Sequence, residues 1–131
     1  DVNYAFGRNI NDPEGENYIP LAPDLTAMAG ISLVNFKGFN GSLRARHLRS
    51  RPANEDNSIV AVGYTVSDFT VNYQTGSFLV GFTFENIFNV QWKETQFATE
   101  SRLQNEAEGV EEIHFTPGVP RFFRMRFAYS F

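Results

Sequence analysis

The chain has 131 residues and a formal net charge of −4, from 11 Lys and Arg against 15 Asp and Glu. This length suits one domain, and the negative charge argues against nucleic acid as a partner. There is no cysteine, so disulfide frameworks and thiolate zinc sites are excluded. No run of about 18 apolar residues occurs, which excludes a transmembrane helix. Fourteen Phe residues against one Trp favour β structure.

The beginning of the chain has neither an initiating Met nor an apolar signal segment. We therefore expect residues 1–131 to be a fragment whose export signal lies upstream of Asp1.

Six β-type segments are predicted, separated by stretches rich in Gly, Pro and Asn. They are Val2 to Arg8, Leu25 to Asn35, Ser42 to Ser50, Val62 to Tyr73, Phe78 to Asn89 and Pro120 to Phe131. Long connections alternate with short ones, and a long acidic loop precedes the last segment. Transmembrane β-barrels have short turns on one side of the membrane and long loops on the other. The pattern predicts an all-β, antiparallel up-and-down meander of sequence neighbours.

The predicted strands alternate apolar and polar side chains, which places each kind on its own face. We expect one outward aromatic surface, formed by Phe78, Phe82, Phe84, Phe123, Phe127, Tyr129 and Phe131. Arg44, Arg46, Arg124 and Arg126 then face a watered interior. A sandwich core leaves the same pattern, but three segments reach the roughly 9–11 residues that a tilted spanning strand needs.

The third segment fits this pattern less well, because His47 and Arg49 fall on its apolar face. A charge at mid-bilayer costs about 2–4 kcal/mol and about 0–1 kcal/mol near an interface. Arg49 is expected at the outer rim, within reach of lipid phosphates. For His47 we expect a neutral ring, a bulge or a covering neighbour.

The last segment carries aromatic side chains at alternate positions up to Phe131. An unpaired strand of this kind can pair with another sheet during membrane insertion. We interpret Phe127, Tyr129 and Phe131 as a signal to the barrel-assembly machinery. The alternative interpretation is an ordinary final strand that happens to end in Phe.

Several motifs, in the same order, make the chain resemble the C-terminal barrel segment of TonB-dependent outer-membrane receptors. They are the loop at Arg51 to Ser58 with Asn54, Glu55 and Asp56; Gly63 to Val66; Glu85 to Asn89 with Asn86 and Asn89; Trp92 to Leu103; His114 to Arg121 with Pro117, Gly118, Pro120 and Arg121; and Tyr18 to Pro23. The resemblance covers nearly the whole chain. It implies the last five to six strands of a 22-stranded barrel, with a plug domain and a TonB box upstream.

The motif residues also have structural interpretations, which we favour over direct ligand contact. Asn86 and Asn89 stand where a strand ends, so their amides can satisfy backbone groups freed from the ladder. Pro117 and Pro120 can end or restart strand pairing. The six Glu residues between Gln91 and Gly118 match no metal motif, and such loops usually stay solvated.

The resemblance implies active uptake of a scarce nutrient, such as a ferric siderophore, across the outer membrane of a Gram-negative bacterium. The implied partners are outer-membrane lipid, the assembly machinery, a transported small molecule, and the TonB complex through upstream regions. No cofactor, catalytic group or metal site is expected, and the chain is not expected to be an enzyme. The alternative from another class is a soluble β-sandwich that binds carbohydrate.

Overall fold

The computed structural model describes residues 1–131 and shows an all-β chain of ten strands. The strands are β1 (Val2–Tyr4), β2 (Leu25–Phe36), β3 (Phe39–Leu48), β4 (Arg51–Pro52), β5 (Val60–Ala61), β6 (Tyr64–Thr75), β7 (Phe78–Glu85), β8 (Lys93–Ser101), β9 (Val110–Pro117) and β10 (Phe122–Tyr129). No helix is long and apolar enough to cross a membrane.

Six strands form one antiparallel sheet, the wall sheet, in the order β1-β2-β3-β6-β7-β10. Its strands follow chain order, which confirms the predicted up-and-down meander. Two tight turns lie at one end of the sheet. Lys37 and Gly38 both have positive φ, 49° and 86°, and Gly76 has φ 54°. Such turns match the right-handed twist of paired strands.

Strand register gathers most of the large apolar side chains of the wall sheet on one face, the apolar face. Phe69, Phe84 and Phe123 lie in one row across β6, β7 and β10, with ring centroids 6.3 and 4.8 Å apart. No other strand packs across this face. Ile31 is 76% exposed and Phe127 70% exposed, so the predicted aromatic surface is present and uncovered.

The opposite face, the polar face, carries the charged side chains of the wall. Arg44 pairs in register with Asp68, and Arg46 lies two residues along β3. Arg124 and Arg126 occupy the same face of β10. The four arginines therefore lie on the face opposite the predicted aromatic surface, although Phe122 shares their face and its ring centroid is 5.5 Å from the Arg124 guanidinium carbon.

Only eight residues are buried, and most of them lie away from the middle of the wall sheet. Seven belong to the end opposite the tight turns: Ala53, Asn54, Ala61, Val66, Ser67, Asn86 and Gln96. The interior of this chain is thus formed where the long loops meet the polar face, and polar side chains make up much of it.

Several predicted segments differ from the structure. The first strand ends at Tyr4 rather than Arg8, and β3 begins at Phe39 rather than Ser42. The acidic stretch expected as one loop contains a β-hairpin, β8–β9, which we call the outer hairpin and which forms its own two-stranded sheet. Thr99 and Glu112, like Glu100 and Glu111, face each other across it. Strand β7 ends at Glu85 rather than Asn89, because Asn86 has φ 51° and leaves the ladder.

His47 and Arg49, which the sequence placed on the apolar face, have partners near its loop end. His47 Nδ1 shares a hydrogen bond of 2.8 Å with Thr65 Oγ1 on the neighbouring strand. Arg49 makes an ion pair of 3.1 Å with Asp24. Of the three options expected for His47, the bulge is wrong, because the register is continuous through this residue on both sides.

Candidate functional site

The two motif asparagines, Asn86 and Asn89, have left-handed backbone conformations and order the loop that follows β7. Asn86 Nδ2 donates to the carbonyls of Val90 at 2.8 Å and Val119 at 3.1 Å, and its Oδ1 accepts from Val90 N at 2.8 Å. Asn89, at φ 52°, accepts from Arg121 N at 3.1 Å. Both amides satisfy backbone groups outside the ladder, as the sequence predicted.

Trp92 closes the base of the outer hairpin against the polar face. Its Nε1 donates to Val119 O at 3.0 Å, and its ring lies 4.7 Å from that of Tyr64. The Arg46 guanidinium is 5.7 Å from the Trp92 ring centroid. Gly118 N donates to Trp92 O at 2.8 Å, so both limbs of the hairpin meet at this side chain.

Asp68 connects this junction to the wall. One carboxylate oxygen accepts from Asn86 N at 3.0 Å, and the other accepts from Arg46 at 3.4 Å. These groups surround a small cavity of about 130 Å³ that is also lined by Glu85 and Glu94. The arrangement fixes charged side chains in place; it contains no nucleophile aligned with a base.

The loop between β4 and β5 is ordered by its own polar side chains. Asn54 donates to Ser58 Oγ at 2.7 Å and accepts from Ile59 N at 3.0 Å. Asp56 accepts from Ser58 N at 3.0 Å and from the Ser58 hydroxyl at 2.7 Å. The hydrogen bond from the Ser58 backbone, followed by that from its hydroxyl, holds the pKa of Asp56 below its usual range. Glu55 contributes its backbone carbonyl, which accepts from Tyr18 N.

Gln96, which the sequence did not single out, attaches the outer hairpin to the connection between β5 and β6. Gln96 is 2% exposed, and its amide accepts from Val62 N at 2.9 Å and donates to Val62 O at 2.7 Å. Asn54 adds a bond of 3.2 Å to Glu111. The Gln96 amide bonds to both backbone groups of Val62, as a neighbouring strand would. Sequence periodicity carries no signal for such a contact.

Loop carboxylates line a cleft of about 430 Å³ between the outer hairpin and the other loops. They belong to Glu16, Glu55, Asp56 and Glu111. No group of three or more His, Cys, Asp and Glu side chains is arranged to hold a metal ion. His114 stacks on Phe97, with ring centroids 5.7 Å apart, and stands apart from this cleft.

The remaining motif positions lie where the chain re-enters the wall sheet. Pro117 ends β9, and Pro120 and Arg121 immediately precede β10. Phe127 and Tyr129 lie exposed on the apolar face of β10, and the Tyr129 ring is 4.9 Å from Phe78 and 6.3 Å from Phe131. Strand β10 has only one neighbour, β7, so its other edge is unpaired.

No protein-family model matches the chain, and comparison with curated proteins and with solved structures likewise finds no match.

We predict that Gly118→Ala destabilises the hairpin base. An added Cβ would overlap the indole of Trp92, and overpacking of this kind typically costs about 1–3 kcal/mol. The measurement is urea unfolding of the chain in detergent micelles, followed by circular dichroism. Gly7→Ala is the control, because the nearest atom to its Cβ is the movable end of Ile19. Equal unfolding midpoints for the two variants would contradict the proposed contact.

Proposed function

We propose that the chain is the C-terminal barrel segment of a TonB-dependent outer-membrane receptor, contributing wall strands and outer loops. The parent protein would take up a scarce nutrient, with a ferric siderophore as the favoured substrate class. The observation that carries the proposal is a six-stranded sheet with one uncovered apolar face and one charged face.

The uncovered face favours a lipid environment over a sandwich core. In a β-sandwich, the apolar faces of two sheets pack about 10 Å apart, whereas the apolar face here has no partner strand in the chain. Contiguous apolar patches well above a few hundred Å² mark membrane or protein contacts. Leu33 and Phe36 near one turn are both exposed on the apolar face, as lipid-facing residues would be.

Strand lengths agree with a membrane crossing. β2 and β6 have 12 residues each and β3 has 10, against the roughly 9–11 residues required at a tilt of about 45°. β7 and β10 have eight each, and their neighbouring residues would lie in the interfacial regions. The polar face would line a watered interior, where its arginines remain hydrated.

Open edges at β1 and β10 favour a larger assembly. A closed barrel whose interior is filled by side chains needs about eight strands, and the wall sheet has six. The two tight turns would face the periplasm and the long loops the cell exterior. The 22-stranded size is taken from the family resemblance alone.

In this role the segment needs neither a cofactor nor a catalytic group. Its direct partners would be outer-membrane lipid and the barrel-assembly machinery, with the transported molecule reaching the loops. The TonB complex would act through upstream regions.

The test uses cells that make the parent protein. We expect it in the outer-membrane fraction, and we expect growth on a ferric siderophore as sole iron source to require both this protein and TonB. Recovery in the soluble periplasmic fraction would refute the membrane location. Membrane location with TonB-independent growth on every candidate substrate would refute the transport role.

We further predict that replacing Tyr129 and Phe131 together with Asp blocks membrane insertion of the parent protein. Both side chains end the aromatic row beside Phe78, and carboxylates there would weaken the strand that pairs during insertion. Heat-modifiable, folded protein in outer-membrane fractions is the measured quantity. Ser130→Asp, on the intervening residue, is the control. Equal amounts of folded double variant and wild type would refute the proposed role of Tyr129 and Phe131 in barrel assembly.

A further inference from the structure

Both limbs of the outer hairpin border a cavity of about 500 Å³ at its base, which we call the base pocket. Residues of the segments 89–93 and 115–120 line it, and none of them belongs to a strand of the wall sheet. It shares only Trp92 with the small cavity around Asp68. The base pocket is therefore separate from the cavity on the polar face, and the hairpin base alone forms its walls.

The base pocket is positive although the outer hairpin is acidic. Lys93 is the only charged residue among those that line it, whereas six Glu residues lie between Gln91 and Gly118. No carboxylate pairs with Lys93, since the two ion pairs of the chain involve Arg46 and Arg49. An unpaired ammonium at the wall of a cavity favours an anionic ligand.

Phe115 holds the Lys93 ammonium in place beside the base pocket. The Lys93 Nζ lies 4.0 Å from the Phe115 ring centroid, which is a cation–π contact. The Phe115 side chain is 51% exposed, so part of its ring surface stays open to a ligand. Because the lysine is already restrained by the ring, an anion that pairs with it loses less conformational entropy on binding.

The other polar side chains of the base pocket also offer hydrogen-bond donors. Asn89 Oδ1 accepts from Arg121 N at 3.1 Å, which leaves Asn89 Nδ2 to donate. Gln91 is exposed and adds a second amide. No carboxylate or hydroxyl side chain lines the pocket. A sugar, whose hydroxyl groups need acceptors, would find few of them here, whereas a carboxylate only accepts.

The remaining walls of the base pocket are apolar and consist of rings. Trp92, Phe115, Pro117 and Pro120 line it, and Gly118 lies so close to the Trp92 indole that no side chain fits between them. Cavities of this size with apolar walls and a few convergent polar groups are typical of small-molecule sites. A flat ring in the pocket could stack against Phe115.

We propose that the base pocket binds a small planar aromatic carboxylate. The carboxylate accepts from the Lys93 ammonium and the Asn89 amide, and the ring packs against Phe115, Pro117 and Pro120. The ligand contacts both limbs of the hairpin, so it stabilises the hairpin base by mass action. Binding requires neither a metal ion nor transport, and it therefore goes beyond the proposed function.

The first experiment measures binding of para-fluorobenzoate to the full chain in detergent micelles by fluorine NMR, with empty micelles as the blank. We expect saturable binding by the wild type. Lys93→Gln should weaken it by about tenfold or more, because a charge-assisted hydrogen bond is lost. Lys37→Gln is the matched control and should bind as the wild type does. Lys37 is the other lysine of the chain and also lies over a phenylalanine ring, with its Nζ 5.7 Å from the Phe36 centroid.

The second experiment tests the ligand class by competition with the fluorinated probe. Benzoate should displace the probe. Cyclohexanecarboxylate, which lacks the flat ring, and benzamide, which lacks the charge, should each displace it several times less effectively. Displacement by cyclohexanecarboxylate equal to that by benzoate would overturn the aromatic assignment, and equal displacement by benzamide would overturn the assignment of an anion.

Two further outcomes separate the base pocket from the proposed function. Absence of saturable binding to the wild type, or equal weakening by Lys37→Gln, overturns the base pocket assignment and leaves membrane insertion untouched. Binding by a chain that fails to insert into vesicles supports the pocket and refutes the proposed function. Circular dichroism verifies that each variant retains its sheet. Phe115→Leu, which removes the stacking ring and should also weaken binding, replaces Lys93→Gln if that variant unfolds.

Discussion

Phe82→Arg is expected to reduce insertion of the chain into lipid vesicles by about 2–4 kcal/mol, the cost of a charge on the lipid face near mid-bilayer. Phe82 lies in the middle of the apolar face, between Val71 and Met125 in register. The change leaves the strand ladder intact, so the penalty arises from the side chain alone. The partition between folded, vesicle-bound chain and unbound chain gives the free-energy difference.

Leu79→Arg is the matched control for that experiment, because Leu79 lies on the same strand but on the polar face. Its neighbours in register are Gln74 and Ala128, so an arginine there meets a polar side chain and a small one. We expect insertion close to that of the wild type. If both arginines reduce insertion equally, the two faces do not differ in environment and the barrel-wall assignment fails.

Asn86→Ala is expected to destabilise the chain by about 3 kcal/mol or more. The change leaves Val90 N and Val90 O without the partner they have now, and each unsatisfied group costs about 1–3 kcal/mol when buried. Val119 O keeps its hydrogen bond from the Trp92 indole. Alanine at φ 51° adds about 1–2 kcal/mol of backbone strain. Denaturant unfolding in micelles, followed by circular dichroism, measures the loss.

Two controls separate the hydrogen bonds of Asn86 from its backbone conformation. Asn86→Gly removes the amide but tolerates positive φ. Its loss of unfolding free energy should therefore be smaller than that of Asn86→Ala by the backbone strain alone. Asn35→Ala places alanine at the same φ of 51° on an exposed residue, so it should show the strain alone. A loss at Asn86→Ala no larger than at Asn35→Ala would show that the amide contacts contribute little.

The wall sheet was predictable because its signal is local and repetitive. In β7 and β10, Phe, Val and Tyr alternate with smaller or charged residues over eight residues, and this period corresponds only to a strand. The turns at Lys37-Gly38 and Gly76-Ser77 carried glycine at positions that require positive φ. The pairing of β2 with β3 and of β6 with β7 followed from these short connections.

The outer hairpin was missed because its sequence gives a competing signal. Glu100, Glu111 and Glu112 disfavour strand formation on propensity, yet Glu100 and Glu111 face each other across β8–β9. The tertiary contacts of Gln96 with Val62 override that preference. Such contacts join residues that are 34 positions apart, which no periodicity test can detect.

The candidate site was predictable in part. The resemblance singled out Asn86, Asn89 and Trp92, and the structure brings all three together at the base of the outer hairpin. Asp68 and Gln96 carried no motif, although each makes two hydrogen bonds to that junction or to the adjoining loop. The receptor identity itself stays a prediction.

Trp92 is the only tryptophan of the chain. Its fluorescence therefore reports when the contacts of this one side chain form during folding. Its contacts with Tyr64 and Val119 span 28 and 27 positions of the sequence, whereas β2 pairs with β3 and β6 pairs with β7 through tight turns. Contacts between distant parts of a chain form later than local hairpins as a rule. During refolding into micelles, the far-ultraviolet circular dichroism of these two hairpins should therefore appear first. The change in indole fluorescence should follow, because it reports when the loops pack against the wall sheet.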